Sequence, residues 1–150
     1  MAKFPSKAWF DAVRKVFNGE EAYQGAGGGQ CNCVSGMKVG RKIFILTFEG
    51  LECTEATEGK NKDLEAVDFY LDMPLDDWRA MVKNIAENGG ATLDYTLNTL
   101  DLDREEGLST SHHGDQYRED LFFRYNQTFQ FFFRCVSARQ DDVLRSAHHR

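Results

Sequence analysis

Apolar and polar positions follow two different periods along this chain. From Ser6 to Asn18, Trp9, Val13, Val16 and Phe17 recur at helical spacing, with Ser6 placed to cap the helix and Asn18-Gly19 to end it. Gln30 to Val39 then reads as extended, and Gly40-Arg41 as a turn. Lys42 to Glu49 is apolar on both faces, which predicts an inner strand covered on two sides. Leu51 to Glu58 continues as a weaker, edge-like strand. From Glu65 to Asp72 the pattern alternates, with Val67, Phe69 and Leu71 on one face and Asp68, Tyr70 and Asp72 on the other. The connections are too short for crossover helices, so an antiparallel meander is expected. After Pro74, the spacing of Leu75, Trp78, Met81, Val82 and Ile85 predicts a second helix. Asp76 and Asp77 occupy its first turn, where the helix dipole favours acids, and Gly89-Gly90 stops it. Leu93, Leu97 and Leu100 predict a short third helix, and Asp101 to Gly114 a polar loop.

The closing segment stands apart. Six phenylalanines and Tyr125 fall between Leu121 and Phe133. On a helix running from Asp115 to about Ala138, Leu121, Phe122, Tyr125, Phe129, Phe132, Phe133 and Val136 share one arc of roughly 120°, about the width of a core-facing stripe. Phe123 and Phe131 fall outside it. One face can therefore roof a core or an apolar cavity. The two remaining rings need a second partner, and a homodimer through Phe123 and Phe131 is one way to supply it, since aromatics are enriched at interfaces. Asn126 lies beside the apolar arc, where it can bond either another helix or a ligand head group.

Length and composition narrow the classes. The chain has 150 residues, 41% of them hydrophobic, which suits one domain over residues 1–138 followed by a polar tail over 139–150. A net charge of −6 argues against a general nucleic-acid partner. No apolar run approaches the roughly 18 residues of a membrane span, and Met1 to Pro5 lacks the apolar centre of a signal peptide. A soluble, cytoplasmic protein without stable membrane insertion is expected. Cys31 and Cys33 point to one side of a strand but lack the usual zinc-site spacing. With Cys53 and Cys135 they are read as ordinary reduced thiols, with no metal site.

Candidate chemistry is sparse. Gly25 to Gly29 is glycine-rich, but no strand precedes it and no Lys-Ser/Thr follows, so it reads as a loop and not a phosphate cradle. His112-His113-Gly114-Asp115 combines imidazoles with a carboxylate. The serines before it mark a solvated loop instead. Glu52, Glu55, Glu58 and Asp63 form an acidic rim that discourages edge pairing.

Several local strings occur in a set order. Phe4-Pro5-Ser6-x-x-Trp9 opens a helix that closes on Asn18, followed by Glu21-Ala22-Tyr23. Ala66-x-Asp68-Phe69 precedes a strand end and the tryptophan-bearing Pro74-Leu75-Asp76-Asp77-Trp78, and Gly114-Asp115 introduces the last helix. From Phe4 to Ala138 this set resembles the sterol carrier protein 2-like family, in its stand-alone bacterial members. The resemblance implies an α+β fold: a mainly antiparallel five-stranded sheet with helices packed on one face, helix first and long helix last. It also implies an apolar tunnel between sheet and helices for a lipid, acyl chain or sterol, with no cofactor and no catalytic residue. Around that tunnel it places Phe17, Phe44, Leu46, Phe69, Trp78, Met81 and Leu97. From the last helix it adds Phe122, Tyr125, Asn126, Phe129, Phe132 and Phe133.

Two other classes remain open. A small enzyme of the nuclear transport factor 2-like cyclase or isomerase type would place Asp68 or His112 as an acid–base residue in an apolar pocket. Those folds usually finish in strands, whereas this chain is expected to finish in a helix. An assembly protein would use the aromatic helix for a dimer alone.

Overall fold

A computed structural model describes residues 3–19, 30–105, 107–111 and 116–136. Helix α1 (Lys7–Asn18) leads into strands β1 (Cys33–Val39), β2 (Lys42–Glu49) and β3 (Glu52–Gly59), and a 3-10 turn (Asn61–Glu65) leads to β4 (Phe69–Met73). Helix α2 (Leu75–Asn88), a second 3-10 turn (Leu93–Tyr95), helix α3 (Leu97–Leu102), the short strand β5 (Ser109–Thr110) and helix α4 (Gln116–Arg124) follow. A last helical stretch, α5, spans residues 126–136. The fold is α+β, helix first and long helix last, with a mostly antiparallel five-stranded sheet.

The expected helix starts and stops are largely present. The Ser6 side chain accepts a hydrogen bond from the Trp9 N–H at 3.1 Å and so caps α1. The third helix is two pieces. Leu93–Tyr95 is a 3-10 turn, and α3 begins afresh behind Thr96, whose hydroxyl accepts from the Thr99 N–H. The closing helix is also two segments, α4 and α5, with Tyr125 as a turn residue between them. Backbone bonds from Tyr125 N–H to Leu121 and from Phe129 N–H to Tyr125 carry the axis through. The expected start at Asp115 and end at Ala138 lie outside the described residues, as do Gly25–Gly29 and the tail.

The sheet order is β3-β2-β1-β4-β5. β3 is an edge, as its weak apolar pattern implied. β2 is an inner strand with two covered faces: Phe44, Leu46 and Phe48 join the main core, while Ile43 joins a smaller cluster on the other side. The simple meander is corrected at β4, which pairs with β1 in parallel, Ser35 opposite Phe69 and Val39 opposite Met73. A nine-residue connection (residues 60–68) makes this crossover by hugging the second face of the sheet. Leu64 and Val67 pack there with Ile43 and Tyr70, so Val67 belongs to the crossover and not to the strand. Gly36 permits that close approach, because a Cβ there would meet Leu64 Cδ2 at 2.8 Å and Tyr70 Cβ at 2.9 Å. Asp68 pins the crossover's end: its N–H donates to the Val34 carbonyl and its Oδ2 accepts from the Val34 N–H, 2.8 and 2.9 Å. β5 adds to β4 antiparallel within the stretch expected as loop.

The helices pack on the other face. All seven residues of the predicted arc, from Leu121 to Val136, are buried. α1 lies over β3, where the Asn18 side chain both donates to the Cys53 carbonyl and accepts from the Cys53 N–H, at 2.9 and 2.7 Å.

Candidate functional site

The expected tunnel residues do meet one another. Phe17, Phe44, Leu46, Phe69, Trp78, Met81, Leu97, Phe122, Tyr125, Phe129, Phe132 and Phe133 belong to one buried cluster between the sheet and the helices. Their rings form a connected network. Phe48 is 5.0 Å from Phe129, Phe129 is 5.5 Å from Phe69, and Phe69 is 6.2 Å from Phe122. A second branch runs from Phe17 to Phe132 at 5.7 Å, to Phe133 at 5.5 Å and to Trp78 at 5.8 Å. Most of these contacts are edge-to-face or tilted, the geometry aromatic pairs prefer. Where they touch, the space reserved for a guest is filled by the rings themselves. Trp78 is anchored as a packing residue, its indole N–H donating to the Lys38 carbonyl at 2.8 Å.

Asn126 differs from its neighbours. It is half-buried, yet its Nδ2 is shielded from solvent and has no hydrogen-bond partner among the described residues. Buried donors are almost always bonded, so this one calls for an explanation. One helical turn further on, Gln130 is engaged through its Oε1, which accepts from the Leu97 N–H at 2.8 Å.

Among the described residues, two cavities open at the edges of this interior. The first, about 360 Å³, lies between the Gly89–Ala91 loop and α5. Its walls include Thr96, Gln127, Gln130, Phe131 and Arg134. The sequence reading assigned Phe131 to a dimer. Its ring leans against Phe17 at 6.3 Å and stays partly exposed, with the Arg134 guanidinium 5.9 Å from the ring centre. Phe123, by contrast, is 52% exposed. Arg134 was missed because it falls on the polar side of the helix, where hydrophobic periodicity carries no signal.

The second cavity, about 670 Å³, sits at the carboxyl ends of the parallel strands β1 and β4, among Lys38, Asp72, Met73, Arg104 and Glu105. Its cations are already matched: Lys38 pairs with Asp72 at 3.9 Å, and the Arg104 guanidinium donates to Asp77 Oδ2 at 3.2 Å. Burial, and then the nearby Asp72 carboxylate, push the Tyr70 phenol up from its ordinary range.

The four cysteines are free and buried. Cys31 and Cys33 do share a side, with Sγ atoms 3.7 Å apart. The hydrogen bond to Cys31, and then burial, hold the Cys33 thiol well above the usual range. Burial pushes the Cys53 thiol up to about 12. Among the described residues no three His, Cys, Asp or Glu side chains converge as metal ligands. Of the acid–base candidates, Asp68 has its carboxylate engaged by the Val34 N–H, and His112 lies outside the described residues. No helix among the described residues is long and apolar enough to cross a membrane.

Compared with protein-family models, with curated proteins and with solved structures, the chain finds no match.

Proposed function

We propose that this protein is a non-catalytic module that binds an apolar small molecule or lipid between its sheet and its closing helix. The observation that carries the reading is the unpartnered amide of Asn126. A buried donor left unmade weighs about 1–3 kcal/mol against folding. A packing residue would not need it, whereas a ligand oxygen would use it. The supply of rings between the sheet and the helices is large, and Met81 adds an unbranched side chain that can take up several shapes. The resemblance to the sterol carrier protein 2-like family supports the same reading, since the helix-first, sheet and closing-helix order is the one it implies. Because the rings meet, a ligand would enter by displacing them. The apolar area it buries would replace theirs at about 25 cal/mol per Å², against the cost of ordering it.

The reading is tested by native mass spectrometry of the purified protein and by displacement of a fluorescent fatty acid. A bound lipid, or displacement at micromolar ligand, is the expected result. Absence of both removes the proposal.

A second reading, self-association, is favoured by Phe123, whose ring stands exposed on α4. Sedimentation at several concentrations tests it, with dimer in the parent and monomer in Phe123→Ser as the expected pattern. A parent that stays monomeric throughout removes it.

A further inference from the structure

The groove beside α5 holds chemistry that an apolar ligand alone leaves unassigned. Its volume of about 360 Å³ falls within the range of small-molecule sites. Its floor is Phe131, whose ring leads inward to Phe17 and from there to Phe48 and Phe132. Its rim is polar, and the character of that rim is specific.

Among the described residues no carboxylate lines the groove, although the chain carries a net charge of −6. The single charged group in its lining is the Arg134 guanidinium, which makes no ion pair among the described residues. Gln130 has given its acceptor oxygen to the Leu97 N–H, so its amide hydrogens are what it has left to offer. The Thr96 hydroxyl is engaged within its own turn, with the Thr99 N–H and hydroxyl. One turn back from Gln130, and outside the groove's lining, the Asn126 amide is shielded and has no partner among the described residues. Gln127 offers an acceptor and donors alike, while the Gln130 amide and the one cationic group, Arg134, offer donors. A hydroxyl head group wants an acceptor as well as a donor. A carboxylate only accepts, carries the complementary charge and pairs well with a guanidinium.

We infer that the ligand is an aliphatic monocarboxylate. Its carboxylate rests at the groove rim on Arg134 and Gln130, and its chain passes Phe131 toward Phe17. This rests on the apolar-ligand reading and selects the acid over neutral alcohols and sterols of similar size.

The test compares dodecanoate with 1-dodecanol, which share a chain and differ in the head group. Both are titrated into the purified protein below their aggregation thresholds. Tryptophan emission reports binding, since Trp78 touches Phe133, and native mass spectrometry counts it. Dodecanoate should bind about tenfold or more tighter, the weight of a charge-assisted hydrogen bond. Arg134→Gln should erase the difference, Arg134→Lys should restore part of it, and added salt should narrow it. Equal affinities in the parent protein, or a difference that survives Arg134→Gln, overturn the inference while leaving the apolar-ligand reading in place. Failure of both compounds to bind overturns the two together. Arg134 is exposed, so its replacement does not threaten the fold.

Discussion

Replacing Asn126 by leucine separates what this side chain does for folding from what it does for binding. Its Nδ2 is shielded and bonded to nothing among the described residues. An unmade buried donor costs about 1–3 kcal/mol, and the lower end applies because the residue as a whole is only half-buried. Leucine shares the branched outline, though it is larger, removes the stranded donor and is the better helix former by a few tenths of a kcal/mol. Asn126→Leu should therefore raise stability by about 1 kcal/mol, or roughly 2–4 °C in Tm for a chain of this size. The same change should weaken dodecanoate binding, because a donor beside the ligand is gone. A gain in stability coupled to a loss of binding marks a residue kept for a ligand. Urea unfolding followed by circular dichroism gives the first number, and the dodecanoate titration gives the second. If Asn126→Leu instead lowers stability by about 1 kcal/mol or more, the amide has a native partner and its role is structural. A stabilised variant that binds unchanged would detach Asn126 from the ligand.

Three further outcomes check the architecture. Phe132 is fully buried against Phe17, Phe48 and Phe133, so Phe132→Ala should cost about 3–5 kcal/mol in urea unfolding, and benzene should recover part of the loss by filling the cavity; a loss under about 1 kcal/mol would mean the ring network does not hold the core. Gly36→Ala should cost about 1–3 kcal/mol, because its Cβ would run into Leu64 and Tyr70; an unchanged urea midpoint would mean the crossover does not sit on β1. Cys53 is held protonated, its folded pKa raised to about 12 against roughly 8.5 for an unfolded thiol. The raised value makes its contribution complete below the unfolded pKa and lost as pH climbs toward 12, by up to about 1.4 kcal/mol per pH unit. Cys53→Ala should flatten that alkaline decline in a series of unfolding curves, and an unchanged slope would assign it to other groups.

What could be read from the residue pattern, and what could not, follows from the range of the forces involved. Burial acts on each side chain by its own chemistry, so the arc from Leu121 to Val136 and the two-sided β2 were legible one residue at a time. The same holds for the Ser6 cap, which needs only the next turn of chain. Strand pairing is different. The parallel partner of β4 depends on Leu64 folding over Gly36 and on Asp68 reaching Val34, contacts that span some thirty residues and leave no period behind. A nine-residue link is short by the usual standard for a parallel crossover, so the pattern pointed to a meander. β5 is two residues long, and two residues have no alternation to detect. The candidate site was half legible for a related reason. The apolar lining is written in the periodicity, but Arg134 and Gln130 occupy the polar side of α5, where almost any hydrophilic residue would serve packing equally well. Their significance comes from what is already taken and what is not: Gln130 has lost its acceptor to Leu97, and Asn126 keeps a donor that no described residue receives. An unmade bond is a property of the assembled surroundings, and no spacing along the chain encodes it. For that reason the sequence marks Asn126 as a polar residue beside the apolar arc but not as an unmet donor, and its use as a binding group has to be tested on the folded protein.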